Sequence, residues 1–139
     1  MIGIDAIISA IHKETERYRD AQSEEKKKIR DAFLSIKVIL NTSILKIELC
    51  KEHGHYKPSK LQWCIPDIAL EIDRVAVETK DILDVDIYNG FTIMTKYLVD
   101  FNEKINSLSL GVSIREDVAD IIKTLGDLKT NIEKIEGIE

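Results

Sequence analysis

Cysteine and proline occur only twice each, and tryptophan once, in this chain of 139 residues. Two cysteines are too few for a disulfide framework, and in a reducing compartment they stay thiols unless a metal or a redox role holds them. No apolar run approaches the roughly 18–20 residues needed to cross a bilayer, which argues against a membrane class. An excess of positive charge is lacking as well: 20 Lys and Arg stand against 25 Asp and Glu, a net charge of −5. That balance argues against the cationic footprint that a phosphate backbone demands, so no direct nucleic-acid partner is expected. The opening MIGIDAIISAIHKETERYRD lacks the basic start and unbroken apolar run of a secretory signal, since Asp5 and His12 interrupt it. The expected location is the cytoplasm.

What is present is a composition 44% hydrophobic and 32% charged, that of one folded domain large enough for its own core rather than a disordered chain. Its apolar residues recur in alternating steps of four and three, the spacing of helices packed at a shallow angle around a shared seam. Four segments show it. The first is Ile29, Phe33, Ile36, Leu40, Ser43, Ile47, Cys50, and the second is Leu61, Ile65, Ile68, Ile72, Val75, Thr79, Ile82. The third is Ile87, Phe91, Met94, Leu98, Phe101, Ile105, Leu108, and the fourth is Ile114, Val118, Ile121, Leu125, Leu128, Ile132, Ile135. Only Ser43 and Thr79 are polar, and small hydroxyls there usually bond the carbonyl one turn back.

These ladders predict helices over about 23–53, 59–83, 86–108 and 113–136. Ser59 with Gln62 and Ser113 with Glu116 have the capping-box form, Ser23 before two glutamates reads as an N-cap, and Asp84 or Asp86 as the next. Gly54, Pro58 and Gly111 break the chain between ladders. Pro66 predicts a kink or restart in the second helix, and Gly90 is an unfavourable residue inside the third. The short connections make consecutive helices antiparallel, so the expected fold is all-α, an up-down-up-down four-helix bundle. A further amphipathic helix over about 3–20 carries Ile4, Ile8, Ile11, Thr15 and Tyr18, reinforced by Ile7. It needs an apolar surface. Second faces at Leu34, Val38, Leu45 and Leu49 on one helix, and at Trp63, Leu70 and Val77 on the next, are its expected seat or else a partner interface.

Chemistry is concentrated in CKEHGHYKPSKLQWC, from Cys50 to Cys64. Cys50, His53, His55 and Cys64 are the right ligand types for tetrahedral zinc, yet their spacing matches neither fingers nor ribbons. The ladders themselves offer no histidine or carboxylate for a bundle-core metal, and Glu52 with His55, the one Glu-x-x-His, straddles Gly54 beyond the first ladder. A cysteine at a packed rung does not suggest a nucleophile, and nothing around His12 marks a phosphotransfer site. Asp81, Asp84 and Asp86 do not fit a calcium loop and read as a solvated charge network with Lys26, Lys27 and Lys28. No catalytic set and no cofactor are expected.

The function expected from these features is that of a small acidic protein-protein interaction module. It is an adaptor, an inhibitor, or an immunity- or antitoxin-like binder of a basic partner, with a homodimer as a variant of the same reading. The contact residues expected are Tyr56, Trp63, Leu70 and Val77. The alternative is a metal- or small-ligand-binding module at the Cys50, His53, His55, Cys64 corner.

Overall fold

The computed structural model describes residues 4–106 and 114–135. Within them the fold is all-helical apart from one short hairpin. Helices α1 (Ile4–Asp20) and α2 (Ser23–Glu48) are followed by strands β1 (Lys51–Glu52) and β2 (His55–Tyr56). Helices α3 (Pro58–Thr79), α4 (Val85–Asn106) and α5 (Ile114–Glu133) complete the chain. The expected Leu108 rung, the Gly111 break and the Ser113 cap lie outside the described residues.

The four ladders form the core. Every described rung is buried except Ile82 and Ile114, which are partly covered at helix ends. Such stripes hold helices together because each fully buried Leu, Ile or Phe contributes roughly 1.5–3 kcal/mol relative to exposure. The polar rung Thr79 donates its hydroxyl to the Val75 carbonyl at 2.8 Å, so it enters the core without an unmet donor. Helix α2 packs on α3 and α5, and α3 packs on α4. Along α2 and α3 the register is antiparallel: Cys50 meets Cys64, and one turn inward Lys46 pairs with Asp67.

Helix α1 departs from expectation. It packs against α4, α5 and α2 rather than on the outer faces of α2 and α3. Its buried residues are Ile7, Ala10, Ile11 and Glu14, whereas Ile4 and Ile8 are only partly covered, so the face is rotated from the predicted stripe. Gly90 gives the reason. A Cβ added there would lie 2.6 Å from Ile7 Cδ1 and closer still to its Cγ1. The missing side chain in α4 is what admits Ile7, and the intrinsic cost of a helical glycine is offset by that close approach.

Three other expectations are corrected. The second helix does not run to residue 53: it ends at Glu48, and the chain reverses through the antiparallel hairpin pairing Lys51 with Tyr56 and Glu52 with His55. His53 and Gly54 both have positive φ, at 54° and 82°, the conformation a two-residue hairpin loop requires at both central positions. Ser59 and Ser23 are not caps. Lys57 and Gln22 occupy the cap positions without a side-chain capping hydrogen bond, and Pro58 sits in the first turn of α3, where a missing N–H costs nothing. Pro66 lies inside an unbroken α3. Asp84 does cap α4, its carboxylate accepting the Asp86 N–H at 2.8 Å.

Candidate functional site

With α1 seated on α4, α5 and α2, the outer faces of α2 and α3 remain uncovered. Val38 and Leu45 on α2 and Leu49 just past its end are more than half exposed, Leu49 at 77%. On α3 Trp63 is 84% exposed and Leu70 69%, with Val77 beside them less so. The Cys50–Cys64 and Lys46–Asp67 contacts fix the level of each residue across the two helices. Leu49 therefore lies at about the level of Trp63, Leu45 at that of Leu70, and Val38 at that of Val77. The period of seven along α3 comes from the sequence; the matching of levels with α2 comes from the antiparallel register.

Polar residues line the groove between the stripes. Lys46 pairs with Asp67 across it, and Arg74 is held between Glu71 and Glu78 on one side of α3. A shallow groove of about 330 Å³ opens at the Val38 end, between Leu34 and Ser35 of α2 and Arg74 and Glu78 of α3. Asp73 adds an exposed carboxylate, so on α3 acidic groups outnumber basic ones around Leu70 and Val77. Exposed pairs of this kind add little stability.

The corner itself divides into two neighbourhoods. Tyr56, grouped with Trp63 by sequence, is half-buried in the hairpin. Its hydroxyl donates to Glu48 at 3.1 Å, and Lys51 lies over its ring at 5.1 Å. Burial first, then the Glu48 carboxylate, raise its phenol above the usual tyrosine range. Together with Lys51, His55 and Arg115, Tyr56 lines a cavity of about 500 Å³ between the hairpin and the start of α5. Trp63, Leu70 and Val77 share the outer face of α3, so the structure separates Tyr56 from the other three expected contacts.

Of the four metal-ligand candidates, Cys50 and Cys64 come together, their sulfurs 3.2 Å apart. His53 and His55 sit in the hairpin loop and second strand and are exposed. Among the described residues no group of three or more His, Cys, Asp or Glu is placed to hold a metal ion. His12, on the exposed side of α1, contacts Asn131 of α5 at 3.2 Å. Lys27 pairs with Asp31 within α2, while Asp84 serves as a cap.

Sequence reasoning missed one charged residue inside the protein. Glu14 is buried, with both carboxylate oxygens accepting from Arg17 at 3.0–3.1 Å and one also accepting the Asp84 N–H at 3.1 Å. Arg17 continues the link by donating to the Ile82 carbonyl and to Glu25, each at 2.9 Å. The signal was there: Ile7, Ile11, Glu14 and Tyr18 keep the four-three step of the other ladders, with a carboxylate at one rung. Among the described residues no helix is long and apolar enough to cross a membrane.

No protein-family model, curated protein or solved structure matches the chain significantly. What the fold and site define is an all-α protein with exposed apolar residues on both arms of one helical hairpin.

Proposed function

We propose that this chain is a protein-binding module that engages its partner through the outer face of α2 and α3. The observation that carries this reading is the set of large apolar side chains left open to solvent on one helical hairpin: Val38, Leu45 and Leu49 from its first arm, Trp63, Leu70 and Val77 from its second. Scattered exposed apolar residues are ordinary, but their recurrence at matched levels along both arms of one hairpin favours an interface. Trp63 supplies the aromatic anchor such interfaces concentrate their energy on. The acidic surround on α3 and the net charge of −5 favour a basic partner by steering. An adaptor, an inhibitor or an immunity- or antitoxin-like binder acting in the cytoplasm fits these features, and a second copy of the chain is the homomeric variant.

In this reading the framework is an antiparallel up-down-up-down set of α2 to α5, with α1 as the additional helix completing it. Support comes from the antiparallel α2–α3 register and the packing of α2 on α3 and α5 and of α3 on α4, while α1 lies against both α4 and α5, which do not pack closely on each other. A second reading, a small-ligand site at the corner, has one observation in its favour, the cavity that Lys51, His55, Tyr56 and Arg115 line.

The test compares capture of partners by the wild-type chain with capture by Leu70→Asp, Trp63→Ala and, as a control on another exposed apolar position, Ile93→Asp. Loss of a central anchor is expected to weaken binding about 30-fold or more, the effect of roughly 2 kcal/mol. The control should bind like wild type. Light scattering on the purified chain separates a homodimer from a hetero-partner, and equal capture by all four chains would overturn the reading.

A further inference from the structure

We infer that Cys50 and Cys64 are a reversible oxidation site, converted by a small-molecule disulfide such as oxidised glutathione into an intramolecular disulfide joining the end of α2 to the first turns of α3. This inference does not depend on what the outer face binds. It starts from placement. The only two cysteines of the chain lie in the turn just past α2 and in the second turn of α3, and folding brings their sulfurs to 3.2 Å. Moving them to bonding distance requires an approach of about 1 Å.

Their surroundings hold that geometry. Cys50 is buried and donates its S–H to the Lys46 carbonyl at 3.4 Å, leaving its sulfur free to accept the Cys64 S–H. One turn along, the Lys46–Asp67 ion pair ties the same two helices. On the other side the hairpin closes, with the Lys57 N–H donating to the Cys50 carbonyl at 2.9 Å. The backbone on both sides of the pair is therefore already fastened in register, and the closed ring from Cys50 to Cys64 contains no unpaired long loop.

The step balances without any group outside the named oxidant. Cys64, the more exposed of the two, loses its proton and attacks one sulfur of the small disulfide, forming a mixed disulfide and expelling one small thiolate. Cys50 then loses its proton and attacks the Cys64 sulfur, forming the Cys50–Cys64 bond and expelling the second thiolate. The two protons end on the two small thiols. The protein dithiol is oxidised by two electrons and the small disulfide is reduced by two. Burial and the neighbouring Cys50 push the Cys64 thiol well up, so the first step is slow at neutral pH and the end-point is the proper readout.

The experiment equilibrates the full chain in glutathione buffers of graded oxidation and follows intact mass, titratable thiols and thermal unfolding. The expected product is a monomer lighter by two hydrogens, with neither thiol titratable. Its Tm should rise on the order of 10 °C, as a ring of this size implies, and return on reduction. Cys50→Ala, chosen to fit the buried position, and Cys64→Ser should each stop at one glutathione adduct or remain thiol. Their circular dichroism establishes that they are folded. Wild type ending as a glutathione adduct, as an intermolecular dimer, or with both thiols free in the most oxidising buffer would overturn the inference.

Discussion

Among the described residues Glu14 is the charged side chain that folding takes most completely out of water. Burial raises its pKa from the ordinary 4.5, Arg17 and the Asp84 amide pull it back, and the net effect is upward. A raised carboxyl pKa means the folded state holds a proton that the unfolded chain has released. This group's contribution is therefore fully present below about pH 4.5 and is lost as pH rises through the folded value. Arg17→Ala removes the main compensating charge and pushes the carboxyl higher still. The variant should match wild type most closely near pH 4 and fall behind by about 1–3 kcal/mol at pH 7, less than for a fully buried pair because Arg17 is partly in water. Urea unfolding at both pH values measures it, and a deficit independent of pH would refute the assignment. Glu25→Gln, which removes only the exposed partner of Arg17, should change stability by no more than about 0.5 kcal/mol.

Between elements, the contact that sets the arrangement is Ile7 of α1 over Gly90 of α4. Replacing a helical glycine by alanine normally gains about 1 kcal/mol. Here the added methyl would overlap Ile7, so Gly90→Ala is expected to destabilise by about 1–3 kcal/mol. Ile7→Ala should cost about 2–5 kcal/mol by the cavity it leaves. Because the new methyl fills part of that cavity, the double variant should be more stable than the sum of the single effects predicts. A double-mutant cycle by chemical denaturation reads the coupling, and additivity would mean the helices do not meet at this point. The hairpin between α2 and α3 was hidden for a related reason. Each strand is only two residues long, too short for alternation to register, and Gly54 alone signals a break without saying what kind.

At the scale of the whole molecule, α1 is part of the core. Its Ile7, Ala10 and Ile11 are each about 1% exposed, against α4, α5 and α2. Deleting residues 1–20 would expose the matching stripe on those helices. We expect the remainder to lose its cooperative thermal transition while keeping much of its helical signal, the signature of a loosely packed state. Calorimetry with near- and far-ultraviolet circular dichroism checks this, and an intact sharp transition would show that α2 to α5 close without α1. The same placement of α1 leaves the outer strip on α2 and α3 bare, so the proposed interface and the stability of the core trace to one packing choice.

The sequence by itself determined the helices and, for α2 to α5, the side of each that faces inward. Apolar periodicity is a property of one segment at a time, and local hydrogen bonding makes it legible without knowledge of neighbours. The same holds for the apolar second faces at Val38, Leu45, Trp63 and Leu70, and for a cap at Asp84 or Asp86, between which the Asp86 N–H to Asp84 hydrogen bond decides. Only the tertiary structure decided which stripes meet. Leu34, Val38, Leu45 and Leu49 could have received α1 on composition alone, but the close approach permitted at Gly90 seats it elsewhere. Likewise Cys50 to Cys64 read as one cluster along the chain, and folding divided it. The two sulfurs were brought together in the α2–α3 seam, while His53, His55 and Tyr56 were turned into a hairpin, because reversal of chain direction sorts residues by the side they leave on. Pairings across elements depend on shape and register, which no single stretch of residues contains.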